Sequence, residues 1–177
     1  ACVCNSYKPS GDFPATAAGK ITIEQLLQHR SGLGDIFGPK FMASRASLRT
    51  LSDYVPLFAD KPLQFEPGTS QRYSNAGFVV LGLIIEKVSG QNYYDNYDYV
   101  RDHITRPAGM TDTASYTVDE NVPNRAVGQT RRGPEGPLPA RRSNTATLPA
   151  RGSSAGGGYS TAADMLRFSQ ALLADKL

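Results

Sequence analysis

Cysteine, histidine and tryptophan are scarce in this chain: its 177 residues hold two cysteines, two histidines and no tryptophan. Cys2 and Cys4 are one residue apart, a loop too tight for ordinary disulfide geometry. No histidine or further cysteine lies near them to complete a four-ligand metal site. They read as free thiols and leave the redox compartment open. No motif calls for a cofactor or a metal. Long apolar runs are also missing. The longest, Ala76 to Ile85, is about half of what a membrane-spanning helix needs. No charged-then-apolar leader opens the sequence, so the chain reads as soluble and its localisation stays unassigned. Charge of one sign is in short supply, with a net of +3. Arg131, Arg132, Arg141, Arg142 and Arg151 cluster in one Pro/Gly-rich stretch, but no aromatic residue interleaves with them. That composition predicts a solvated basic loop rather than a nucleic-acid partner.

What is present fits a single domain over residues 1–177, long enough to bury roughly 70% of its unfolded surface. Pro9, Gly11, Pro14 and Gly19 make the first twenty residues irregular. Thr22-Ile23-Glu24-Gln25 matches a capping box and starts a helix whose apolar side is Ile23, Leu26 and Leu27. The glycines of Ser31-Gly32-Leu33-Gly34 end it. Leu48, Leu51, Val55 and Phe58 fall at helical spacing, with Pro56 splitting the pattern. Glu66-Pro67-Gly68-Thr69 predicts a tight turn. Residues 75–88 predict a helix that is apolar all round and therefore buried on all sides, closed by Ser89-Gly90. A further helix follows Asn92, with Tyr93, Tyr97, Val100 and Ile104 on one stripe, and stops at Arg106-Pro107. Helical periodicity is absent over 111–158. There Arg125–Thr130 and a segment near Leu138 are expected to pair as a hairpin across Gly133-Pro134-Glu135-Gly136. A last helix opens at Ser160 or Thr161, with Asp164 in its first turn and Met165, Phe168, Leu172 and Leu173 facing inward.

Arg72-Tyr73-Ser74-Asn75 opens the apolar helix. A phenol can pass a proton, and an amide two residues later can orient a substrate or a lysine. By itself the tripeptide is weak evidence for chemistry and reads first as Tyr73 packing and Asn75 capping the helix.

Its surroundings are more specific. Ile21 to Leu33, ITIEQLLQHRSGL, resembles the "ITIxxLLxHxSGL" segment of the serine β-lactamase and penicillin-binding-protein family. Phe65-Glu66-Pro67-Gly68-Thr69 followed by Tyr73-Ser74-Asn75-Ala76-Gly77-Phe78 resembles that family's "FxPGTxxxYSNxGF". Pro107-Ala108-Gly109-Met110-Thr111-Asp112-Thr113 is similar to "PLGMxDT", with Ala108 in place of the usual leucine. Gly156-Gly157-Gly158-Tyr159-Ser160-Thr161-Ala162-Ala163-Asp164-Met165 is similar to "GGxxSTAxDL". The segments run in the family's order.

The resemblance implies an α+β, mainly α, fold: the helical portion of the β-lactamase/transpeptidase-like architecture, with a small β-hairpin and most of the central antiparallel sheet missing. It implies catalytic roles for Tyr73 in proton transfer and for Asn75 in orienting substrate and lysine, and a packed, structural His29. The family's nucleophilic Ser-x-x-Lys pair is absent: no serine here has a lysine three residues later. The later Lys-Thr-Gly-type strand is absent as well. The chain therefore reads as a partial domain, a fragment of a serine hydrolase for β-lactams, D-alanyl peptides or small esters, and inactive alone. A small-molecule or peptide substrate is expected only once the missing segments complete the cleft. Two other functions stay open. One is a non-catalytic relative that binds a ligand or protein. The other is an unrelated site built from residues such as His29, Asp35 and Tyr73. With the sheet missing, the buried-helix pattern predicts exposed apolar surface covered by a homodimer or a complementary chain.

Overall fold

The computed structural model describes residues 20–93, 98–133 and 136–177. Cys2, Cys4, the breakers up to Gly19, Tyr97 and the hairpin tip Pro134-Glu135 lie outside the described residues. In chain order the elements are α1 (Ile23–Leu27), α2 (Pro39–Ser44, continued by a 3-10 turn Arg45–Ser47) and α3 (Leu51–Tyr54, continued by Val55–Leu57). They are followed by α4 (Asn75–Ser89), α5 (Asp98–Val100, continued by a π-helical turn Arg101–Thr105), β1 (Gln129–Gly133), β2 (Gly136–Ser143) and α6 (Ala162–Leu173). The mainly helical architecture with one antiparallel hairpin is the one expected.

Local chemistry explains the starts and stops. Thr22 Oγ1 accepts from the Gln25 amide at 3.1 Å while Gln25 Oε1 accepts from the Thr22 amide at 3.0 Å, the reciprocal capping box read from the sequence. The helix ends sooner than expected. His29 takes a left-handed φ of 57° and breaks it before Ser31 is reached. Only Leu26 of α1 enters the core, and Ile23 and Leu27 stay exposed, because Ile21 supplies the second buried side chain. Pro56 converts α3 into a 3-10 turn, as its missing N–H requires. α2 has no counterpart in the sequence reading. Its N1 proline marks a start, but only Phe41 is buried, so no apolar periodicity announces it. The hairpin forms about four residues later than expected, with Gln129 opposite Ser143 and a bulge between Thr130 and Arg132.

α4 is the central post of the core. Leu26, Leu48, Leu51, Tyr54, Phe58, Val79 and Leu83 are all nearly inaccessible and share one cluster. The Tyr54 hydroxyl donates to the Arg151 carbonyl at 2.6 Å, and burial of this phenol pushes its pKa up. α4 is not covered on every side, however. Phe78, Leu81 and Ile85 are half-buried and Val88 is exposed, a stripe at helical spacing. α6 departs further from expectation. Asp164, Phe168 and Ala171 face the body, whereas Met165, Leu172 and Leu173 are exposed rather than inward. Asp164 determines this orientation. Its carboxylate accepts from the Asp112 amide at 2.8 Å, Thr113 Oγ1 at 2.7 Å and Arg167 Nη1 at 2.6 Å, so the polar side of the first turn turns inward.

Two outcomes are expected. A Cβ at Gly82 would approach Leu51 Cδ1 at 2.6 Å and overlap the Ser154 hydroxyl. Gly82→Val should therefore cost about 1–3 kcal/mol of overpacking and lower the urea midpoint, and an unchanged midpoint would contradict this packing. For Asp164, burial alone pushes the carboxyl pKa up, but its hydrogen bonds with Thr113, Arg167 and the Asp112 amide outweigh burial and hold it below the usual range. A depressed folded pKa means this contribution is present above the unfolded value of about 3.9 and is lost as pH falls through the folded value. The stability of the wild type should thus fall more steeply than that of Asp164→Asn below about pH 4. Equal slopes in acid titrations of unfolding would refute the assignment.

Candidate active site

The 64–72 segment that leads into α4 and the loop after α1 are zipped together by backbone bonds. The Arg72 amide donates to the His29 carbonyl at 2.9 Å, Gly68 to Arg30 at 2.8 Å and Gln64 to Gly32 at 2.8 Å. The Gly68 turn matches the sequence reading, with φ of 86° and Thr69 N–H on the Glu66 carbonyl at 3.1 Å. Gly32 is required where the two segments touch. It has φ of 78°, and a Cβ there would run into the Phe65 carbonyl.

Ser74 rather than Asn75 caps α4. Its buried hydroxyl accepts from the Gly77 amide at 3.1 Å and donates to the Gly34 carbonyl at 2.8 Å. Asn75 is thereby released from capping. Its side chain is 8% exposed, and Nδ2 donates to Asp35 Oδ1 at 2.9 Å and Oδ2 at 3.2 Å. Tyr73 is 64% exposed and is not a core residue. Its hydroxyl donates to Asn75 Oδ1 at 3.3 Å. Tyrosine, asparagine and aspartate thus form one hydrogen-bonded series across the helix entrance.

His29 is packed, as its position implies. Its ring lies between Tyr73 and Phe78, with centroids 4.6 and 5.1 Å away. Nδ1 accepts from the Ser74 amide at 3.3 Å. That bond aims a ring nitrogen at backbone, and the imidazole stacks on the phenol ring of Tyr73. His29, Asp35 and Tyr73 do converge, but in this arrangement His29 supports the tyrosine, and the independent site loses its base.

Beside Asn75 opens a cavity of about 280 Å³ whose walls include Ile36, Phe37, Phe41, Tyr54 and Leu148. Gly156 and Gly157 border it, which gives the glycine run a place in the cleft. The sequence reading missed these apolar walls and the Asp35 contact with Asn75. Their signal was nearness: Asp35-Ile36-Phe37 directly follows the Ser-Gly-Leu-Gly segment. Among the described residues no group of three or more His, Cys, Asp or Glu is arranged to hold a metal. No described helix is long and apolar enough to cross a membrane.

A family model described as Beta-lactamase matches residues 5–177. Penicillin-binding protein 4* of Bacillus subtilis is 40% identical over 100 residues, covering 54% of this chain and 21% of that protein. The crystal structure of a penicillin binding protein from Bacillus halodurans superposes with a TM-score of 0.79 at 33% identity, covering 96% of this chain and 54% of that one. D-amino acid amidase from Ochrobactrum anthropi SV3, complexed with D-phenylalanine, gives a TM-score of 0.70 at 28% identity, covering 93% of this chain and 47% of the amidase. The chain therefore spans between about a fifth and about half of these proteins.

Proposed function

The chain belongs to the β-lactamase family, and from that membership we propose that it is the helical half of a serine hydrolase cleft working through an acyl-enzyme on D-alanyl peptides, β-lactams, or small amides or esters. Tyr73 is the proton-handling group and Asn75 orients the substrate and the activating lysine. The observation that carries this reading is the 3.3 Å bond between the Tyr73 hydroxyl and Asn75 Oδ1, held at a helix entrance beside an open apolar cavity. An exposed phenol bonded to an asparagine that lines a pocket can meet a substrate, whereas a packed one cannot.

In this reading the attacking serine and its lysine come from sequence outside these 177 residues, because none of the serines here is followed by lysine at the third position. The cavity next to Asn75 is large enough for an apolar side chain, since an engineered cavity of about 150 Å³ already admits benzene. The amidase seen with D-phenylalanine supports a substrate that carries such a group. A binding module without turnover is the second reading, supported by the apolar cavity beside Asn75.

The expected behaviour separates them. The isolated chain should form no adduct with a fluorophosphonate or a penicillin. Adding a polypeptide that carries the Ser-x-x-Lys segment and the Lys-Thr-Gly-type strand should restore hydrolysis. In that complex Tyr73→Phe should lower kcat by about 10²–10⁴-fold. Full activity in Tyr73→Phe would remove the tyrosine from the chemistry. Ligand binding without turnover would favour the module.

The same architecture supports a partner. Met165, Leu166, Leu172 and Leu173 on α6 and Val88 on α4 are exposed, and apolar surface of this kind often has a covering. We propose that it receives either a second copy of this chain or the complementary chain carrying the sheet. Gel filtration should show a dimer, or a monomer that binds an apolar dye and loses the dye when the complementary chain is added. A monomer that binds no dye would contradict the proposal.

A further inference from the structure

Asn75 has two chemically different ends on one flat amide, an oxygen that accepts and an NH2 that donates. Their neighbours decide which end faces which way. Here Asp35 places both carboxylate oxygens against Nδ2, at 2.9 and 3.2 Å. Reversing the amide would set Oδ1 against a carboxylate, two acceptors face to face at hydrogen-bond distance, and would forfeit a charge-assisted bond. The reversal would also leave Asn75, at 8% exposure, with little water to compensate.

Asp35 is itself fixed before Asn75 meets it. Its Oδ1 accepts from the Ile36 amide at 2.7 Å, and its main-chain carbonyl accepts from Lys61 Nζ at 3.3 Å. The preceding residue, Gly34, is bound by the Ser74 hydroxyl at 2.8 Å. The carboxylate therefore stands at the start of α4, where the helix dipole favours negative charge.

From this geometry we propose that Asp35 is a positioning residue that locks the Asn75 amide with Nδ2 inward and Oδ1 toward Tyr73 and the cleft. This rests on Tyr73 and Asn75 being the functional pair. It adds that the cleft is offered an acceptor at Asn75, suited to an N–H of a substrate amide or an ammonium of a lysine. Asp35 is not among the residues that wall the cavity, and it acts through Asn75. A carboxylate at this place fixes polarity, which a purely space-filling side chain would not.

The test reads the Asn75 side-chain amide by nitrogen–proton NMR of the folded chain, assigned through its loss in Asn75→Ala. In the wild type the Nδ2 protons should be shifted by the carboxylate and slow to exchange. Asp35→Ala should speed their exchange by about ten- to a hundredfold, the worth of a hydrogen bond to a charged group. If that variant does not fold, Asp35→Asn keeps the shape and removes the charge, and it should show the same change in direction at smaller size. A folded variant whose Asn75 signals match the wild type in shift and exchange overturns the proposal, because a merely structural Asp35 would leave them alone. Neither readout needs turnover, so a Tyr73 shown to be inert would leave this result standing or falling on its own.

Discussion

The clamp between the Gly34-Asp35 loop and the first turn of α4 is the contact on which the cleft depends. Ser74 joins the Gly34 carbonyl to the Gly77 amide, and Asn75 joins the Asp35 carboxylate to the Tyr73 hydroxyl. Without the first, α4 keeps its length but loses its anchored start. Without the second, the amide at the helix entrance has no preferred sense. His29 completes the support by placing its ring under Tyr73 and a nitrogen on the Ser74 amide. The strongly exposed member of the set is the Tyr73 phenol.

The clamp is rigid because both of its sides are tied to the core. α4 is buried along Ala76, Val79, Val80 and Leu83, and α1 contributes Leu26 to the same cluster. Between them the 64–72 segment is sewn to 29–32 by main-chain bonds, which replace the side-chain packing that a short loop cannot supply. The polar staple at Asp164 performs the corresponding task for α6, which it holds with a polar first turn inward and several apolar side chains outward. A mainly helical chain can thus order one side of a cleft while leaving apolar side chains exposed elsewhere.

Much of this was legible in the residues. The capping box at Thr22, the Pro-Gly turn at 67–68, the split at Pro56 and the Gly90 stop all act through chemistry confined to a few neighbouring atoms, and each lies where the sequence places it. The family resemblance singled out Tyr73 and Asn75, and the structure joins them by a hydrogen bond. What the sequence could not display was direction. Met165, Leu172 and Leu173 have the spacing of an inward face, but periodicity gives a face without saying which way it turns, and two of the three partners of the Asp164 carboxylate come from 52 and 51 positions away. Asp35 was a nameable residue with no legible partner for the same reason, since its contact with Asn75 spans forty positions. α2 was invisible because it buries one phenylalanine and carries no repeat.

Native-state hydrogen exchange at the amides of Arg72, Ser74 and Gly77 tests most directly whether the loop and the helix start form one rigid unit. The account predicts that these amides open only with the whole molecule, at the same free energy as Leu83 in the middle of α4. Exchange of Ser74 and Gly77 through a local opening, while Leu83 stays protected, would show that the clamp is loose and that the Tyr73–Asn75 geometry is not held in place.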